Sequence, residues 1–173
     1  DSKIKDRKKI KTEKLDDVDF KKKIDLLKID VQGFESVIID NSPKTLSGCL
    51  AVQLELSPVP LYKNEKTFSY VCNQMENLKF NLNMFSNINT KTFKPMVLGG
   101  NSLNGLNTIF QLDCVFIPKY ETLRNFDIEQ IKKLILIMHY CYNSFDFVDY
   151  LIRELDRLQN SKIINDYREF IKK

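Results

Sequence analysis

The chain has 173 residues and a mass of 20.4 kDa, which fits one domain of ordinary size. Hydrophobic residues make up 43% and charged residues 29%, a balance that excludes wholesale disorder and collagen-like order. The net charge of +4 is confined to residues 1–23, which hold ten Lys/Arg against six Asp/Glu; residues 24–173 hold 17 of each.

That basic segment has only Ile4 and Ile10 among Lys3, Lys5, Arg7, Lys8, Lys9 and Lys11, and no aromatic to stack on a base. It reads as a solvated linker over 1–23, and nucleic acid is not expected as a partner. The first residue is Asp1, so the chain is expected to be a piece of a longer protein, and no signal peptide is expected in its charged first residues. The longest apolar run, 134–138, has five residues and is far short of a membrane span. Cys49, Cys72, Cys114 and Cys141 form no C-x-x-C pair and sit among apolar residues. They imply reduced thiols and a cytoplasmic setting. His139, within a helical apolar run, is expected on a helix face or in the core.

In chain order, residues 24–31 read as a buried strand stopped by Gly33, and 34–39 as a short helix broken at Asn41-Ser42-Pro43. A second strand spans 50–56. Phe68, Val71, Cys72, Met75 and Leu78 then mark one face of a helix with Thr67 as its N-cap. Phe80, Leu82 and Met84 alternate with Asn81 and Asn83, predicting a third strand. Residues 86–107, rich in Asn and holding Gly99, Gly100 and Gly105, read as a long loop. A fourth strand spans 108–117. Strands joined by helices predict parallel neighbours, and the fourth, reached without a helix, is expected antiparallel.

The remainder, 119–173, is a helical tail. Asp127 and Gln130 suggest a capping box, Ser144 a second cap, and a third helix starts near Lys162. Its apolar stripes are expected on the sheet, with a partner-binding face as the alternative.

Ligands of an open parallel sheet bind at the carboxyl ends of its strands. Asp30 ends the first strand, Glu35 opens the following helix, and Glu55 lies near the end of the second strand. A carboxylate in an apolar strand is costly unless paired or facing a site. Each has a plainer use: Asp30 could satisfy amides of the Gly33 turn, Glu35 suits a helix N-terminus, and Glu55 could face water.

The run Leu27-Lys28-Ile29-Asp30-Val31-Gln32-Gly33-Phe34-Glu35 resembles the LKIDVQGFE signature of FkbM-type S-adenosylmethionine-dependent methyltransferases. Lys14-Leu15-Asp16-Asp17 is similar to the family's TLDD, with Lys where Thr is common. Residues 51–55 and Pro60-Leu61-Tyr62 resemble its next strand and PLY turn. Met75, Leu78 and Phe80 resemble its L…LGF, with Lys79 in place of the glycine, and Asp113-Cys114-Val115-Phe116 its DAVF strand.

The resemblance covers roughly 12–118. It implies that residues 24–118 are the C-terminal part of a seven-stranded Rossmann-like class I methyltransferase sheet, the four strands being its fourth to seventh. The glycine-rich cofactor loop would then lie upstream; Gly99, Gly100 and Gly105 neither follow a strand nor open a helix. The implied reaction is methyl transfer from S-adenosylmethionine, without a metal, to a hydroxyl of a small-molecule or glycan acceptor. Asp30 and Glu55 are implied on the acceptor side as catalytic residues, with Gln32, Gly33 and Glu35 on the cofactor side. The alternative is a non-catalytic fragment whose helical tail is a protein-interaction module.

Overall fold

The computed structural model describes residues 6, 8–101 and 104–172. Its strands are β1 (Leu26–Ile29), β2 (Ala51–Leu56), β3 (Phe80–Lys91) and β4 (Thr108–Pro118). They form one mixed sheet in the order β1-β2-β4-β3. β1 and β2 are parallel, Leu26 opposite Ala51 through Ile29 opposite Leu54. β4 runs antiparallel to both β2 and β3, as expected of a strand reached without a helix. β3 therefore does not touch β2, because the last strand lies between them.

The side chains of the central strands alternate, and each face receives a helical layer. Val52, Leu54, Leu56, Leu112, Cys114 and Phe116 point to one side. They pack there with Ile39 of α1 (Glu35–Asp40), Leu46 of α2 (Pro43–Leu46), and Val71 and Met75 of α3 (Phe68–Asn77). Ala51, Val115 and Ile117 point to the other side, under α5 (Ile128–Tyr140) and α6 (Phe145–Gln159), which follow the short α4 (Tyr120–Leu123). Leu134, Met138, Val148 and Leu151 are at most 2% exposed there. The stripes of α5 and α6 thus cover the sheet. α7 (Ile163–Phe170) buries no residue fully and leans Ile164 and Tyr167 on the same cluster.

Local chemistry sets the helix ends. Thr67 caps α3 by accepting from the Tyr70 amide, and Asp127 and Gln130 form the capping box of α5. Ser144 precedes α6, but its hydroxyl donates to Asp146 and caps no amide. Pro43 does more than end α1: it opens α2, where a missing N–H costs nothing.

Three extents differ from expectation. β1 stops at Ile29, because the Val31 amide is taken by a side chain. β3 continues to Lys91 through three register shifts, so residues 86–91 are strand, not loop. The basic segment is tied down near its end. Leu15–Asp17 forms a 3-10 turn, and the Asp16 carboxylate accepts from the Lys44 and Thr45 amides and the Thr45 hydroxyl. That linker therefore does not reach 23 as free chain.

Cys49 and Cys114 are buried free thiols, whereas Cys141 is exposed, contrary to its apolar neighbours in sequence. His139 lies half-buried on α5, its Nδ1 3.1 Å from the Tyr167 hydroxyl and its ring against Phe145 and Phe170. Among the described residues no helix is long and apolar enough to cross a membrane.

Candidate functional site

The parallel pairing of β1 and β2 brings their carboxyl ends together, and with them Asp30 and Glu55. The chain leaves β1 through a turn that needs two left-handed residues, Gln32 at φ 55° and Gly33 at φ 100°. Only glycine fits the second position. A Cβ there would lie 3.0 Å from Cβ and 3.1 Å from Cδ2 of Tyr62, and 3.3 Å from Cβ of Glu65.

Glu35 holds the turn shut. It is 4% exposed, and its two oxygens accept from the amides of Val31 (3.0 Å) and Gly33 (2.9 Å). The amides of the Gly33 turn are therefore satisfied by Glu35 and not by Asp30. Glu65, also buried, does the same for the facing loop, accepting from the amides of Leu61 and Tyr62.

With the turn fixed, Gln32 projects over the strand ends. Its Nε2 donates to Asp30 Oδ1 (3.1 Å) and Glu55 Oε2 (2.7 Å), and its Oε1 accepts from the Tyr62 hydroxyl. Gln111 of β4 gives Glu55 Oε2 a second donor at 3.1 Å. Lys28 stands 3.7 Å from Asp30 Oδ2, both side chains being more than a third exposed, so that pair is screened. Glu55 Oε1 accepts from no group among the described residues. Burial pushes the Glu55 carboxyl above its ordinary range, and the charges of Asp30 and Asp113 push it the same way.

The structure thus gathers all five expected residues, in two roles. Asp30, Gln32 and Glu55 form an accessible polar cluster; Gly33 and Glu35 build the turn beneath it. Gln32 Nε2 and Oε1, the Gly33 amide and both Glu35 oxygens already hold hydrogen bonds within this cluster and turn.

Two members were not expected. Tyr62 was visible in the PLY run, but nothing local links it to residue 32. Gln111 enters only through the register that sets Glu55 opposite Asp113. A groove of about 760 Å³ starts beside the cluster, lined by Leu15, Val31, Phe34, Val37 and Ile38.

Comparison with known proteins found no curated relative and no solved structure that matches. A family model, described as the methyltransferase FkbM domain, matches residues 1–82, the stretch that carries β1, the Gly33 turn, β2 and α3. The strand-end cluster is thus framed by a segment, just under half of the chain, that is similar to the methyltransferase FkbM domain.

Proposed function

We propose that the chain contributes the acceptor side of S-adenosylmethionine-dependent methyl transfer, to a hydroxyl of a sugar or other small molecule, as part of a Rossmann-like enzyme. The observation that carries this is a division of labour among carboxylates. Asp16, Glu35 and Glu65 are each spent on pairs of backbone amides. Asp30 and Glu55 hold none, and a side-chain amide aims them at one place. Two carboxylates side by side are electrostatically unfavourable, and stability alone gives no reason to keep them.

S-adenosylmethionine would supply the methyl group. Gln32, Gly33 and Glu35 would line the cofactor side of the turn, and most of its contacts would come from parts of the enzyme beyond this turn. The chain's own residues handle the acceptor. Asp30, the more accessible carboxylate, accepts the hydroxyl proton as the oxygen becomes nucleophilic. Glu55, with its raised proton affinity and free Oε1, borders the acceptor and holds it in line. Gln32 fixes the spacing of the two. The open outer edge of β1 is where upstream strands of a larger sheet would pair. Because α5 and α6 spend their apolar stripes on this sheet, the interaction-module reading loses its main motive.

In the complete enzyme, Asp30→Asn is expected to lower turnover by about a hundredfold or more, since an amide cannot take up the proton. The S-adenosylmethionine Kd should move far less. Unchanged turnover would reject Asp30 as base and pass the role to Glu55; a collapse of cofactor binding would place Asp30 in the cofactor pocket instead.

A further inference from the structure

The β3–β4 hairpin overhangs the sheet. The last β4 residue in register with β2 is Leu112, yet β4 extends back to Thr108 and stays paired with β3 out to Lys91. Beyond it lies a tip that is shaped by its own hydrogen bonds. The Met96 amide donates to the Phe93 carbonyl (3.1 Å), and the Thr92 hydroxyl donates to the Met96 carbonyl (3.0 Å). The Asn101 amide and the Asn104 side chain both donate to the Leu98 carbonyl. Gly105 lies so close to Thr90 that an added Cβ would fall 2.2 Å from its carbonyl carbon and oxygen.

Apolar side chains among the tip's described residues are exposed. Phe93 is 79% exposed, Met96 57%, and Val97 and Leu106 51% each. Charge is distributed just as unevenly. In a chain with 29% charged residues, the stretch 86–112 holds Lys91 and Lys94 and not one carboxylate.

We propose that this tip is a membrane-contact element that seats in the headgroup layer of a bilayer containing anionic lipid. Phe93, Met96, Val97 and Leu106 offer exposed apolar side chains at the end of an overhanging hairpin, which suits insertion into a fluid interface. Its charge is purely cationic, so an anionic surface meets both lysines. A second copy would instead bring another Lys91 and Lys94 against them. The inference stands on the hairpin alone and is independent of the methyl-transfer reading.

The test is cosedimentation of the full chain with vesicles of phosphatidylcholine plus phosphatidylserine, against phosphatidylcholine alone. Binding is expected to the anionic vesicles, falling several-fold in high salt and in Lys91→Gln/Lys94→Gln. Phe93→Asp/Met96→Asp should weaken it at least about tenfold, because two charges then face the interface. Leu136→Gln, at an exposed apolar position of α5, should leave it unchanged. Wild-type protein that ignores anionic vesicles, or binding untouched by the tip variants, would overturn the proposal. So would a salt-stable dimer dissolved by Phe93→Asp, which would make a second copy the occupant. Should the double variant lower the unfolding midpoint, the salt dependence and the lysine variant decide alone.

Discussion

Glu35 and Asp149 do the same job in two regions with very different surroundings. Glu35 clamps the turn after β1; it is buried and engages two backbone amides at 3.0 and 2.9 Å. Asp149, on α6, grips the guanidinium of Arg168 on α7 through both oxygens and also that of Arg153, but its side chain is 22% exposed. Water can replace the partners of Asp149 and cannot replace those of Glu35. The turn is thus held by polar geometry that tolerates no gap. The tail is held by apolar stripes, to which its ion pairs are an addition.

The sharpest way to break this contrast is to remove each clamp. Glu35→Ala strands two amides in a buried turn and should destabilise the fold by about 3 kcal/mol in urea titration. Loss of hydrogen-exchange protection should centre on Val31 and Gly33. Asp149→Asn should cost only about 1 kcal/mol, because the pair is partly solvated. Were the two losses equal, burial would not be what separates the regions.

Acid sharpens the same comparison. Hydrogen bonds from Arg168 and Arg153 hold the Asp149 carboxyl down at about 2, below its ordinary 3.8. A depressed carboxyl contributes stability that is complete above its ordinary value and lost as pH falls through the folded one. The α6–α7 junction should therefore loosen between about pH 4 and 2, seen as early exchange in α7. The smallest effect concerns Lys79, which adopts φ 68° after α3, the left-handed form that favours glycine. Lys79→Gly should raise stability by about 0.5 kcal/mol, the relief of strain being offset by the greater freedom of the unfolded chain. A loss would show that the lysine side chain contributes more than its backbone costs.

How far the sequence reveals this molecule depends on the range of each interaction. The layers were legible because period-2 and period-3.6 patterns record which face is buried, as in β2 and α3. At Lys79, which replaces the glycine of the FkbM-type pattern that residues 75–80 resemble, the structure shows the left-handed backbone that no pattern of apolar residues announces. The two carboxylates of the turn were harder. Asp30 and Glu35 flank Gly33 within three residues on either side, yet only Glu35 closes the turn, where the backbone is left-handed at Gln32 and Gly33. Residues 86–91 were not legible as strand. Ladder bonds to β4 are made by the backbone, and polar Asn side chains neither announce nor prevent them. Gln111 and Tyr62 reach the site from strands and loops whose register no local pattern carries.

The strand order has a consequence for how the chain acquires its shape. β4 is the last of the four to leave the ribosome and the one on which both neighbours depend. Before it emerges, β3 has no partner, and the β1–β2 pair lacks one side of its ladder. The contact that completes the sheet joins Glu55 to Asp113, far apart along the chain. Such non-local closure is slow compared with helix formation. During synthesis the apolar row Val52, Leu54 and Leu56 must wait for Leu112, Cys114 and Phe116 while most of the polypeptide is already outside. The nascent intermediate, more than the finished fold, is the species most in need of a chaperone.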